Sequence, residues 1–427
     1  MKNQKKISKA FIAVLAACFF NTGAHCGEID ALLDKLVGKN LLEGYEAQEI
    51  RIGTQEEVKK EISRGMHKTL PLWLQAITLS GDVRLRYQKS DNDNIAEPRQ
   101  RGRYRLRLFL NSKVNEQVFT GFGFASGENA DPRSTNQTFK DNFGKKNLYI
   151  DFVYAEYFPY EWLSFMAGRN KNPIWMAGDM LWDSDINPEG ALLRTEIPVS
   201  SHLKLTTLGG FFLLNEVSTA PKDPYAVYGQ QAIVLRDDDN AKILKWGLSY
   251  YDFKQLKAKT ALAHRPSTTE GYQNANATSG SKYKYSYRPA VADIDFSLNL
   301  INPVNLPLVN RSVSHLGFFS TYVRNTAIAS GNEGWLAGFR LGQEKAEDTG
   351  QFQFSYSLRR LESEAWLDSY PDSDFYGGST NVKGSEYILT VGILRHFALV
   401  FDYYMTEPVT GNLKKEKLFQ TEVNLKF

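Results

Sequence analysis

Phe419-Gln420-Thr421-Glu422-Val423-Asn424-Leu425-Lys426-Phe427 is the stretch on which the fold turns. Phe419, Thr421, Val423, Leu425 and Phe427 alternate with Gln420, Glu422, Asn424 and Lys426. Successive side chains of a strand point to opposite faces, so one face is greasy and the other wet. The same rhythm recurs upstream. Val83, Leu85 and Tyr87 alternate with Arg84 and Arg86, and Tyr104, Leu106, Leu108 and Leu110 with Arg103, Arg105, Arg107 and Phe109. Ile294, Phe296, Leu298 and Leu300 alternate with Asp293, Asp295, Ser297 and Asn299.

A soluble sandwich also alternates. Two features favour a transmembrane barrel. The polar face carries charges near mid-strand, and the connections alternate in length. About sixteen runs can be placed between 76–88 and 417–427, within a range of about 14–18. Links after odd strands tend to be long (127–146, 254–288, 362–383), and those after even strands short, as at Phe158–Glu161 and His396-Phe397. One rim of turns and one of loops is the outer-membrane barrel arrangement. Closure follows, because an open strand edge cannot face lipid. The expectation is an all-β transmembrane barrel of antiparallel strands over 76–427, preceded by a short helical segment.

Composition fits only on this reading. The chain has 427 residues, 13% aromatic, with mean hydropathy −0.40 and formal charge +3. Only the extreme N-terminus offers a candidate apolar run for a helical span, and that run is too short. The near-zero charge balance does not support nucleic-acid binding. The two Cys lie in the first 26 residues, so no disulfide scaffold is available. The rings are expected on the lipid face and in interface girdles, as with Tyr157, Phe158, Tyr160 and Trp162 around one turn and Phe397, Tyr403, Tyr404 and Phe427 near the same rim or on adjacent strands.

Residues 1–24 read as a signal peptide. Lys2, Lys5, Lys6 and Lys9 precede an apolar run from Ala10 to Phe20, and small residues end at Ala24. Leu15-Ala16-Ala17-Cys18 looks like a lipoprotein cleavage box, but Phe19 and Phe20 carry the apolar run past the Cys. From 27 to 70 the period is helical: Ile29, Leu32, Leu33, Leu36 and Val37 share one face. This helical periplasmic segment reads as a small hairpin packing on itself or on a copy of itself, or as an oligomerisation or envelope-tethering module.

The order of motifs resembles a bacterial "putative porin" family. It runs Leu32-Leu33-Asp34-Lys35-Leu36-Val37, Leu72-Trp73, Gly81-Asp82-Val83-Arg84-Leu85-Arg86-Tyr87, Arg101-Gly102-Arg103-Tyr104-Arg105-Leu106-Arg107, Gly168-Arg169-Asn170, and Trp182-Asp183-Ser184-Asp185-Ile186-Asn187-Pro188-Glu189-Gly190. Phe427 resembles the terminal aromatic by which outer-membrane barrels are recognised for insertion. The resemblance implies a Gram-negative outer-membrane diffusion channel for ions and small hydrophilic solutes. Its implied partners are outer-membrane lipids, the barrel-assembly machinery and copies of itself in a trimer.

Such a channel needs no cofactor; charge at its narrow point sets preference. Arg84, Arg86, Arg101, Arg103, Arg105 and Arg107 share one face of strands 1 and 2. Mid-membrane Arg facing lipid costs about 2–4 kcal/mol, so this ladder is expected to point inward and attract anions. By analogy with sixteen-stranded porins, the third long loop would fold inward. Its Asp179, Asp183, Asp185 and Glu189 would then oppose the ladder, with Arg169 and Arg194 at its feet. Asp183, Asp185 and Asn187 also resemble half of a calcium loop but lack the bidentate Glu. The alternatives are a non-conducting structural or adhesive barrel, or an outer-membrane hydrolase. For a hydrolase, His315, near Ser312, Ser314 and Ser320, is the one strand-borne histidine candidate.

Overall fold

The computed structural model describes residues 77–128, 131–218, 221–306 and 311–427. The expected signal peptide and helical segment lie outside the described residues.

Sixteen antiparallel strands close on themselves. They are β1 (Ile77–Asn92), β2 (Arg99–Lys113), β3 (Val118–Ala125), β4 (Tyr149–Tyr160), β5 (Leu163–Arg169), β6 (Glu189–Pro198), β7 (Leu203–Leu213) and β8 (Tyr225–Arg236). The second half comprises β9 (Lys242–Lys254), β10 (Pro289–Leu306), β11 (Arg311–Asn325), β12 (Glu333–Gly342), β13 (Phe352–Leu361), β14 (Val382–Leu394), β15 (Phe397–Pro408) and β16 (Glu416–Lys426). Each strand pairs with its sequence neighbours, and β16 returns to β1 from Asp82↔Lys426 to Asn92↔Glu416. Long loops follow β3 (126–148), β5 (170–188), β9 (255–288) and β13 (362–381). These are the second, third, fifth and seventh loops of one rim.

The burial pattern inverts that of a soluble sheet. On β1, Leu79 and Leu85 are 61% and 48% exposed, whereas Arg86 and Gln88 are 6% and 4% exposed. The apolar parity faces outward and the charged parity inward, as lipid outside and a polar interior require. The outer surface carries rings near one short turn, where Tyr160 stacks on Trp162 at 5.6 Å between centroids.

One glycine pair shapes the wall. Gly168 and Gly190 are register partners on β5 and β6 with φ of 131° and 157°. A Cβ at either position would lie 2.3 Å or 2.0 Å from a neighbouring strand's carbonyl oxygen. The glycine in Gly168-Arg169-Asn170 therefore permits close strand approach where the third loop leaves the wall. Asn170, fully buried, ties the foot of that loop by donating to the Gly190 carbonyl at 3.1 Å.

The aromatic share divides in a way that alternation does not reveal. Phe212, Tyr228, Tyr251 and Phe253, near the loop ends of β7–β9, point inward and are buried. There they meet Trp182 of the third loop and Trp366 and Tyr370 of the seventh, with Trp182 stacked on Tyr370 at 4.7 Å and Tyr251 edge-on to Trp366 at 5.0 Å. Besides the lipid face and girdles, rings therefore also pack inside the barrel. Tyr404 is corrected: it is buried in the interior, donating to Asp402 at 2.8 Å.

Candidate functional site in the lumen

The inner face of β16, β1 and β2 is a grid fixed by register. Reading from the loop rim downward, Gln420, Gln88 and Arg101 form one row, and Glu422, Arg86 and Arg103 the next. Below them come Asn424, Arg84 and Arg105, then Lys426, Asp82 and Arg107. Arg99, Arg101, Arg103, Arg105 and Arg107 thus occupy consecutive inward positions of β2. Like charges stacked this closely need counter-charges or solvent.

Two of the counter-charges come from the wall itself. Glu422 lies 3.2 Å from Arg84 and 2.5 Å from Arg86. Asp82 bridges Arg105 and Arg107, each at 2.8 Å. The seventh loop supplies Asp374, 2.6 Å from Arg86. Arg103 forms no direct ion pair among the described residues and donates to Ser134 and to the Asn136 carbonyl, at 3.3 and 3.2 Å.

The third loop reaches across the interior. Trp175 and Gln230 of β8 exchange two hydrogen bonds of 3.0 and 2.7 Å. The Ala177 amide donates to Asp293 of β10 at 3.1 Å, and Arg340 of β12 donates to the Ala177 carbonyl at 3.2 Å. Ile174, Met180, Leu181, Trp182 and Ile186 are buried. Burial of this apolar set gives the loop a fixed seat.

Of the four expected loop acids, only Asp185 touches the arginine ladder, 3.2 Å from Arg107. It also accepts from the Thr135 amide and hydroxyl at 3.0 and 2.9 Å. Asp179 pairs instead with Arg359 of β13 at 3.1 Å. Asp183 is buried behind the ladder, accepting from the Asp185 and Ser373 amides at 2.9 and 2.8 Å. Glu189 and Arg169 pair with each other at 2.8 Å, on the same parity as outward-facing Phe165, away from the ladder. Arg194 faces inward but pairs with Glu156 on its own stretch of wall at 2.6 Å.

Electrostatics separate the two neighbouring loop aspartates. Burial, then the nearby Asp185 charge, pushes the Asp183 carboxyl well above its usual range. Burial also pushes on Asp185, but the Arg105 and Arg107 guanidiniums outweigh it and hold its carboxyl low. Asp374 is likewise buried, and Arg86 and Arg103 hold it low.

The weak metal candidates do not converge. Asp183 and Asp185 spend their oxygens as above, and the Asn187 amide donates to Asp151 at 2.9 Å. Another carboxylate group, Asp179, Asp372 and Glu386, surrounds the Arg359 guanidinium at 3.1, 3.6 and 2.7 Å. His315 shares a 2.8 Å hydrogen bond with Asn299, and Ser320, on the outward parity, donates to the Leu336 carbonyl.

Sequence reasoning missed Glu422, Asp402, Glu386 and the seventh-loop acids Asp372 and Asp374. Strand parity could have placed the first three inside. Asp402 and Tyr404 alternate with Phe401, Tyr403 and Met405.

The chain matches the family described as "Putative porin" over residues 89–285 and 284–427. A search of curated proteins finds no match. Among solved structures it resembles Pseudomonas putida OprB at high pH. The two are 10% identical over 83% of this chain and 95% of that one, with a TM-score of 0.52. Salmonella typhi OmpF in complex with daunomycin is also similar, at 10% identity over 82% and 97% of the chains and a TM-score of 0.48. At these identities the OprB likeness is one of fold. With a closed barrel, an inward polar face and a family match across most of its length, this chain belongs to the putative porin family of outer-membrane β-barrels.

Proposed function

We propose that the protein is a passive channel for ions and small hydrophilic solutes and that its narrow region prefers anions. Arg84, Arg86, Arg103, Arg105 and Arg107 form one side of that region, and Asp185, Asp374 and Glu422 face them. The observation that carries this reading is the run of consecutive inward arginines on β2, which outnumber the carboxylates reaching them. Cations of one sign in a low-dielectric tube raise the local concentration of anions. Arg169, Glu189 and Arg194 act outside this region. Export by an N-terminal signal, insertion through the assembly machinery and a homo-trimer complete the proposal; the trimer is checked by light scattering in detergent.

Reconstitution in planar bilayers tests the channel. Stepwise conductance is expected, with a reversal potential in a salt gradient signed for anions. Arg103→Glu with Arg105→Glu should shift that potential toward cations; an unchanged potential removes the ladder from the narrow region. The second reading, a non-conducting barrel, draws on the Trp182–Trp366–Tyr251 packing across the interior. A silent bilayer selects it.

A further inference from the structure

The upper lumen holds guanidiniums that form no ion pair among the described residues. Above the narrow region lies a cavity of about 350 Å³ between the upper β1–β2 wall and the second, fifth and seventh loops. Arg101 and Arg103 line it from the wall, and Arg133 and Arg265 from the loops. The cavity also has acidic lining, but each acid is already engaged. Asp374 pairs with Arg86 at 2.6 Å, Glu270 with Arg99 at 2.5 Å, and Asp131 with Arg133 at 3.3 Å. Glu128 accepts from the Thr138 amide at 2.8 Å and faces Lys140 at 3.6 Å. Arg265 is taken by Asp368 at 2.7 Å.

Two guanidiniums lack a close counter-ion. Among the described residues Arg101 and Arg103 form no ion pair, and Asp374, which acts on both, is in contact with Arg86 instead. Arg103 is 7% exposed, and its Nε has no hydrogen-bond partner there; neither has Nη1 of Arg133, which is 5% exposed. Buried N–H donors left without acceptors are costly and call for one. Guanidinium forks match carboxylate and phosphate oxygens in geometry as well as charge. Hydroxyls of Ser134 and Ser373 lie in the same lining.

We propose that this cavity is a binding station for small solutes carrying two or more anionic oxygen groups, held between Arg101 and Arg103 at the loop-side mouth of the narrow region. This rests on the channel reading for its passage but not for its binding. Such a channel holds its solute briefly as well as sieving by size, and conduction then saturates with solute concentration.

Calorimetry on refolded protein in detergent tests the station, with citrate and inorganic phosphate as probes and sucrose as the neutral control. Citrate should bind saturably, phosphate more weakly and sucrose not at all. Arg101→Gln with Arg103→Gln should weaken citrate about tenfold or more, since charge-assisted hydrogen bonds from both guanidiniums are lost. Arg101→Lys, which keeps the charge but loses the fork, should fall between. Heat-shifted gel mobility checks that each variant is a folded barrel. A folded, conducting wild type that takes up no citrate overturns the station and leaves the channel standing. Citrate binding unchanged in the double variant also overturns it. Citrate binding to a barrel silent in bilayers keeps the station and removes the channel.

Discussion

Gly81 and Phe427 exchange both of their backbone hydrogen bonds, the Gly81 amide to the Phe427 carbonyl at 2.9 Å and the reverse at 3.0 Å. This exchange extends the β16–β1 seam by one residue pair beyond Asp82↔Lys426, with the Phe427 ring lying over Gly81. A Cβ at position 81 would fall 2.3 Å from the Arg107 carbonyl oxygen and 2.7 Å from that ring. Gly81→Val should therefore cost about 2–3 kcal/mol, in the upper range for single substitutions. The readout is a lower temperature for the heat-induced gel shift. Phe427→Ala, which keeps the backbone pair, should lose less than half as much. Equal losses in both would show that the ring, and not the close approach, holds the seam.

Arg359 holds the tip of the third loop against the wall. It is 3.1 Å from Asp179, 3.6 Å from Asp372 and 2.7 Å from Glu386, and it lies over the Phe375 ring at 4.0 Å. Arg359→Met would leave three carboxylates facing one another, and breaking a buried ion pair from one side costs about 3–5 kcal/mol. Urea unfolding should show that loss. Asp179→Asn, at the solvated edge of the cluster, should show a smaller one.

Trp182 joins the third and seventh loops through Tyr370 and Trp366. Trp182→Ala removes a fully buried ring, a change that costs about 3–5 kcal/mol in packed cores. If this cluster seats the third loop, single-channel conductance should rise and its current become noisier. Trp335→Ala, on the lipid side, should leave conductance unchanged. A Trp182→Ala channel indistinguishable from wild type would show that the loop is held by its hydrogen bonds alone.

Acidity should act in two directions. The Asp183 carboxyl is raised above its ordinary 3.8, so the native state holds its proton more tightly than the unfolded chain. Its contribution is complete below that ordinary value and is lost as pH rises through the folded one. Asp185 and Asp374 are held low, so theirs is present above the ordinary value and lost as pH falls through the folded ones. Stability measured by urea midpoint should therefore decline on both sides. In Asp183→Asn the decline on the rising-pH side should flatten, while the acid-side decline persists.

The two faces of β2 should respond oppositely to the same substitution. Leu106 lies between Arg105 and Arg107 on the outward parity. Leu106→Arg should cost about 2–4 kcal/mol at mid-membrane depth. The inward Arg105 tolerates a cation at the same depth because Asp82 stands 2.8 Å away. Folding yield into lipid vesicles measures the difference.

Sequence alone determined the strands, their alternating connections and, on most strands, which face is wet. Those features have a period of two residues and are written locally, so β1, β2 and β16 could be oriented from Leu85, Leu106 and Leu425 against Arg86, Arg105 and Glu422. Tertiary structure decided which charges meet. Parity gives the face of a residue but neither its height in the barrel nor the strand opposite. The ladder's partners therefore proved to be Asp82, Glu422 and Asp374 with Asp185, while Asp179 went to Arg359 and Glu189 to Arg169. It also decided which rings turn inward. At Tyr250-Tyr251 both faces are aromatic, and only the packing of Trp182 and Trp366 against one of them separates lipid from lumen. Loop residues carry no period at all, so their seats are set by burial and ion pairing that exist only once the barrel has closed.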